Sequence, residues 1–337
     1  MADIFPKDFL VRSPTMDDVK AVVELLNACD MIEFGEPNNS EEDVRNGWQF
    51  PGLDLEKDAW VVVAPNERII ARASLGHKDV VHMYTTPRVH PDYRGLGIEV
   101  HLLHLAEERA QHFIPQASKG ARVALNSWVS SGNIDLARVL EQEGFRRIRA
   151  HWMMEIEFDS VPPVPEWPEN VVVRTFQPGQ ERAIFEAFDE AFQDHWGHMP
   201  ENYEAWKHWT IERADFDPTL WFIALDREEI AGLSLCEYEL GIPWVGDLAV
   251  RRPWRRKGLG MALLHQSFGE FYRRGSRKAR LGVDSQNLSG ATRLYERAGM
   301  HKAHESYNYQ KELRAGVELS IQALALEYAD ITPMVLE

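Results

Sequence analysis

Two stretches of this chain align with each other at a constant spacing, and that repeat constrains the fold more than composition does. Val89-His90-Pro91-Asp92-Tyr93-Arg94-Gly95-Leu96-Gly97-Ile98-Glu99 matches Val250 to Gly260 at an offset of 161 (250 − 89 = 161). Arg94 falls on Arg255 and Gly97 on Gly258, whereas Glu99 falls on Gly260. A motif repeated after about half of a 337-residue chain implies two similar units in tandem.

The second copy carries the richer chemistry. An apolar run ends at Val250, and Arg251, Arg252, Arg255, Arg256 and Lys257 follow. Gly258 and Gly260 then open an apolar helix through Leu259 and Met261. Glycines let a backbone approach a ligand closely, and the free N–H groups that begin a helix point at an anion. Arginine adds forked donors suited to phosphate. This is the composition of a pyrophosphate cradle, with Arg251 and Arg252 expected to face solvent. In the first copy, Glu99 places a carboxylate where a diphosphate would sit, so that copy is expected to have lost its anion site. A dinucleotide fingerprint fits poorly, because seven residues separate Val250 from Gly258 and position 263 is leucine. No Gly-Lys-Ser/Thr P-loop occurs.

The basic cluster stands out because the whole chain carries −16 net charge, with a pI near 5.3. That balance argues against nucleic acid or anionic membrane as partners and favours a cationic acceptor. Cys29 and Cys236 are the two cysteines, too few for a disulfide framework and in keeping with a reduced compartment. The first residues lack a signal-peptide pattern, and no apolar run approaches the ~18 residues of a membrane span. The expectation is a soluble, cytoplasmic protein.

Val161-Pro162-Pro163-Val164-Pro165-Glu166-Trp167-Pro168 reads as an extended linker, since proline fixes φ and forbids a helix. It divides an N-terminal domain (1–158) from a C-terminal one (169–314), with the linker at 159–168 and a tail at 315–337. In the second half, hydrophobic periodicity predicts strands at 170–175, 219–225, 229–238, 244–250, 279–283 and 300–311. It predicts helices at 181–193, 203–213, 260–274 and 290–298. The first half repeats the pattern, with helices at 19–26, 97–112 and 134–143 and strands at 59–63, 69–75, 80–86 and 121–125. A helix at 319–326 is a further expectation. The fold class is α/β, with helices packed on a mixed sheet.

This layout resembles the GNAT superfamily of acyl-CoA-dependent N-acetyltransferases in its tandem form, over roughly 10–158 and 169–312. The most specific element is its Arg/Gln-x-x-Gly-x-Gly/Ala signature, met here by Arg255-Arg256-Lys257-Gly258-Leu259-Gly260. The resemblance implies acetyl-CoA as co-substrate, with its pyrophosphate on this loop. It also implies a bulge whose backbone N–H groups hold pantetheine and thioester, carried over to Leu248, Ala249 and Val250. A strand followed by asparagine and a helix bearing tyrosine is met by Val283 to Asn287 and by Ala291 to Met300. Asn287 would then bond the pantetheine or amine, and Tyr295 would protonate the departing thiolate. Aligning Gly144 with Gly299 puts Leu140 where Tyr295 stands (299 − 144 = 155), so catalysis is expected in the second half. Members of the family that make mycothiol carry a glutamate just before the bulged strand, where this chain has Pro243 or Trp244.

Transfer to a primary amine needs a base, for which Glu237 and Glu239 share one face of their strand and Asp247 lies beside the bulge. Asp194, His195 and Trp196 fall where the superfamily builds its acceptor pocket. Plainer readings stand beside these: Tyr295 as a core aromatic, Asn287 as a helix cap, and Glu237 and Glu239 as a solvated strand face. A non-catalytic acyl-CoA-binding protein is the alternative function. The acceptor stays open among small-molecule and peptide amines.

Overall fold

The computed structural model describes residues 5–199, 202–287 and 290–320, so the helix expected at 319–326 lies outside it from residue 321 onward. The first half runs β1 (Leu10–Arg12), α1 (Val19–Glu33), α2 (Glu41–Trp48), β2 (Ala59–Val63), β3 (Ile69–Ser74), β4 (Gly76–Asp79), β5 (His82–Tyr84) and β6 (Arg88–Val89). It continues with α3 (Ile98–Gln111), β7 (Val123–Ser130), α4 (Ile134–Gln142) and β8 (Arg146–Glu157). The second half runs β9 (Val171–Thr175), α5 (Glu181–Phe192), α6 (Tyr203–Thr210), β10 (Trp221–Asp226), β11 (Glu229–Glu239) and β12 (Ile242–Val250). It ends with α7 (Leu259–Arg273), β13 (Lys278–Asp284), α8 (Ala291–Arg297) and β14 (His301–Arg314).

Most expected elements are present, and two differ for physical reasons. The strand expected at 80–86 is shortened to β5, and Pro87, which has no N–H for a ladder, separates it from β6 in the other sheet. The strand expected at 121–125 runs on to Ser130. Asn126 interrupts its apolar pattern yet is buried and satisfied, donating to Met83 O at 3.1 Å and accepting from Gln310 at 3.0 Å.

The strands form a four-stranded sheet, β1-β2-β3-β6, and a ten-stranded mixed sheet, β4-β5-β7-β14-β8-β13-β12-β11-β10-β9. The larger sheet interleaves the two sequence halves. β14, from the end of the second half, lies between β7 and β8 of the first, so Tyr307 faces Val129 on one side and Ala150 on the other. Reciprocally, β8 lies against β13.

Helices cover both faces in each half. Leu263, Leu264, Phe268 and Phe271 of α7 recur at helical spacing and are buried against Phe222 and Leu281. On the other face, Ile184, Phe185 and Phe188 of α5 and Trp206 of α6 pack on Trp221 and Leu233. α1 and α2 hold the equivalent place in the first half, with Val22, Leu25, Leu26 and Trp48 against Val61. Burying a Leu or Phe side chain contributes on the order of 1.5–3 kcal/mol, so these layers fix the strand ends between which the site lies. Among the described residues, no helix is long and apolar enough to cross a membrane.

Candidate active site

The site begins where β12 and β13 part. They pair in parallel only at Trp244 and Arg280, and beyond that point they diverge while each remains tied to its other neighbour. The β11–β12 register shifts between Leu235 opposite Asp247 and Cys236 opposite Val245, leaving Gly246 as the extra residue. The bulge therefore lies two residues earlier than the Leu248–Val250 stretch carried over from the family. A glycine inside a strand was the available signal for it. A Cβ at Gly246 would lie 3.2 Å from Leu235 O and 3.4 Å from Glu237 Oε1, so glycine suits that crowded position.

Leu248, Ala249 and Val250 follow the bulge. The N–H of Arg251 donates to Ala231 O at 3.0 Å, on the β11 side. Strand alternation then turns the N–H of Ala249 the same way and spends it in the ladder. It turns the N–H groups of Leu248 and Val250 toward the opening between β12 and β13.

The chain next enters the glycine loop. Gly258 caps α7 with φ +86°, and a Cβ there would meet nothing within 4 Å, so its approach is open. The first helical bond runs from Ala262 N to Gly258 O, which leaves the N–H groups of Leu259, Gly260 and Met261 for an anion. At Gly260, a Cβ would come 3.3 Å from Leu294 Cδ2, so that glycine also seats α7 against α8.

The basic residues divide into two groups. Arg255 is structural bracing: its Nε donates to Val250 O at 2.9 Å, one Nη to Ala191 O at 2.9 Å, and the other to Asp194. Arg252 faces solvent as expected while also binding Asp194, and Arg251 is half-buried and binds Glu190. Arg256 and Lys257 are exposed and make no ion pair among the described residues, which leaves them available to phosphate. Asp194 is therefore held at the glycine loop by two arginines. Its carboxyl is pushed down to about 2, by hydrogen bonding to Arg252 first and to Arg255 after that.

His195 and Trp196 continue along the same rim. Burial lowers the His195 pKa, with Arg255 adding to the effect. Arg149 stacks over Trp196, 4.8 Å from the ring centroid, and binds Asp284 through Nε and Nη2 at 2.7–3.0 Å. The expected acceptor lip is thus packed over the end of β13. Arg149 was not legible in the sequence, because it comes from β8 of the other half.

Tyr295 projects from α8 into the second-half core and is 7% exposed. Burial, and secondarily Asp247, pushes its phenol up to about 12, so it is protonated at neutral pH. Asn287 lies in the turn after β13, its N–H donating to Asp284 O at 3.0 Å. Gly290 occupies the N-cap of α8, so Asn287 does not cap that helix.

Glu237 and Glu239 lie on one face of β11, opposite Trp244 and Ile242. Glu237 thus comes up beside the bulge from the neighbouring strand, while Pro243 and Trp244 occupy β12 itself. Burial raises its pKa, opposed by Arg213 Nε at 3.9 Å. Glu239 has an exposed surface in acidic company; partial desolvation first, then Glu237 and Asp43, brings it up to about 7. Arg213 was passed over in the sequence. It bridges Asp215 at 2.8 Å and Asp43 of α2 at 3.4 Å, and lines a small pocket with Trp209, Glu237 and Asp247.

The first half shows the counterpart loop with different side chains around it. Glu33 stands where the second half has Asp194 (194 − 33 = 161). It accepts from Arg88, Arg94 and Asn133 at 2.8–2.9 Å. Glu99 is buried in the first turn of α3 and engages its own N–H, with its pKa raised by desolvation.

Comparisons with known proteins agree with this geometry. Residues 182–300 match the model of the Acetyltransferase (GNAT) family. A mycothiol acetyltransferase of Thermobispora bispora is 30% identical over 63% of this chain and 70% of its own length. A GCN5-related N-acetyltransferase from Sphaerobacter thermophilus is 38% identical, with a TM-score of 0.80 over 94% of this chain and 99% of that one. A tandem GNAT protein from the clavulanic acid biosynthesis pathway shares the fold at 16% identity, with a TM-score of 0.71 over 92% of this chain and 100% of its own. The chain is an acyltransferase that uses acetyl-CoA to acetylate an amine, and it belongs to the GNAT family of N-acetyltransferases in its tandem form.

Proposed function

We propose that acetyl transfer takes place in the second half, in the opening between β12 and β13, and that the acceptor is a primary amine on a small molecule. The observation that carries this reading is the meeting of three features at that opening. They are unpaired N–H groups after the Gly246 bulge, the Glu237 carboxylate against that bulge, and the buried phenol of Tyr295 near Asp247. The first half, with Glu99 in its anion site, serves as scaffold.

The residues present suit acetyl-CoA. The N–H groups of Leu259, Gly260 and Met261, with Arg256 and Lys257, would hold the pyrophosphate, and those of Leu248 and Val250 the pantetheine arm and thioester oxygen. Asn287 would bond the same arm or the incoming amine. Acetyl-CoA supplies the activated acyl group. Glu237, its basicity raised by burial and then by Asp215 and Asp43, takes a proton from the ammonium so that neutral nitrogen attacks the carbonyl carbon. Backbone N–H groups oppose the charge that develops on oxygen. As the carbon–sulfur bond breaks, Tyr295 gives its proton to the thiolate, which leaves as CoA thiol, and the second proton on the newly bonded nitrogen passes to the tyrosinate, leaving a neutral amide and a restored phenol.

The mycothiol acetyltransferase relatives make the amine those enzymes acetylate the first acceptor to try, beside a panel of other amines. Thiol release is the readout. Tyr295→Phe and Glu237→Gln should each lower kcat by about 10²-fold or more, the usual range for losing an acid or base, while acetyl-CoA affinity holds. Gly260→Glu, which copies the first half, should abolish acetyl-CoA binding. Full turnover in both single variants, or unchanged affinity in the third, would overturn the assignment.

A further inference from the structure

We propose that the first half carries a ligand site of its own, between β3 and the α1/α2 layer, which takes a small organic carboxylate with an apolar or aromatic body and anchors it on Arg72. The two halves differ most sharply here. Arg72 pairs with Arg88 across the β3–β6 ladder. At the same offset the second half pairs Leu233 with Ala249 (233 − 72 = 161). Leu233 and Ala249 are buried in the aromatic cluster beneath α5 and α6. The first half thus has two guanidiniums where its twin has apolar core.

One of the two is neutralised and the other is not. Arg88 binds Asp30 and Glu33, and its Nε is buried without a partner. The single hydrogen bond of Arg72 among the described residues goes to Ser74 Oγ at 3.0 Å, and no ion pair reaches it. Elsewhere in this half inward arginines are matched, Arg109 by Asp58 and Arg122 by Glu312. Burial, with Arg88 close by, lowers Arg72 to about 10. A desolvated cation without a counter-ion is costly, and a carboxylate meeting its fork would relieve that cost.

The space around Arg72 sets the rest of the ligand. It lines a cavity of about 350 Å³, walled by Trp48, Phe50, Tyr84 and Trp209, and a more open one of about 390 Å³ beside Trp128. The former volume is at the lower end of small-molecule pockets, and aromatic walls suit an apolar body better than a bare inorganic anion. Asp43 on the same wall is committed to Ser40 and Arg213. The cavity adjoins the small pocket at Glu237, with Trp209 lining both, but Arg72 itself is not among the residues of that pocket.

The test is calorimetry and tryptophan fluorescence on the full chain without acetyl-CoA, using phenylacetate, indole-3-acetate, phenylacetamide and inorganic phosphate. The carboxylates should saturate and bind at least about tenfold tighter than the matched amide or phosphate. Arg72→Leu, which installs the residue of the second half, should lose that preference while acetyl-CoA affinity is retained. Should that variant melt early, Arg72→Lys keeps the charge without the fork and should bind at intermediate affinity. Absence of saturable carboxylate binding, equal binding of phosphate, or an unchanged preference in the folded variants would overturn the proposal.

Discussion

Arg256 holds φ +61°, and its counterpart in the first half is Gly95 at +77°. A left-handed conformation costs a non-glycine residue about 1–2 kcal/mol, and such strain persists where function requires the side chain. Arg256→Gly should therefore leave the fold as stable or up to about 1 kcal/mol more stable by thermal melting, yet weaken acetyl-CoA binding severalfold. Asp194 acts one step removed, by fixing Arg252 and Arg255 under the loop. Asp194→Asn should raise the KM for acetyl-CoA more than it lowers kcat, which steady-state kinetics separates. Because the fold depresses this carboxyl to about 2, its stabilisation is full above the free value of 3.8 and fades as pH falls toward 2. At this scale the sequence was informative about the loop glycines and the position of Tyr295. It did not reveal that Arg255 is spent on bracing, since composition cannot distinguish an arginine that binds ligand from one that binds a neighbouring helix end.

Strand β11 joins two carboxylates that titrate together. Glu239 reaches about 7, and coupled groups share their titration, so with Glu237 as the proposed base the acid limb of the rate profile should belong to the pair. Glu239→Gln removes one negative charge and should shift that limb to lower pH, as measured by kcat/KM against pH. A raised carboxyl takes up a proton on folding, so this pair lowers stability as pH rises from the free value of 4.5 toward 7. The same variant should flatten that dependence. Elements of strong period, such as α5 and α7, were legible because their apolar stripes repeat at helical spacing. α2 was not, because Glu41-Glu42-Asp43 opens it with three acids and only Val44 and Trp48 turn inward. Its N-terminus was nonetheless written in the Ser40 capping box.

Across the molecule, the linker at 159–168 divides the sequence but not the sheet. Val161 and Val164 are 72% and 83% exposed, so a protease site placed there should cut readily. The nicked halves should still elute together in gel filtration, held by the ladders β7–β14, β14–β8 and β8–β13. A fragment of residues 169–337 made alone should aggregate, because β13 and β14 lose β8 and expose long unpaired edges. The repeat at offset 161 announced two copies, while the exchange between them was invisible, since no local pattern tells a strand which partner it will meet. The exchange also has a geometric consequence. A lone copy built this way would close its sheet only by lending its last strand to a sister chain, which is the geometry of a two-fold dimer with swapped arms. Held in one polypeptide, the exchange ties the halves together, so a substitution that loosens the sheet in either lobe is felt by both.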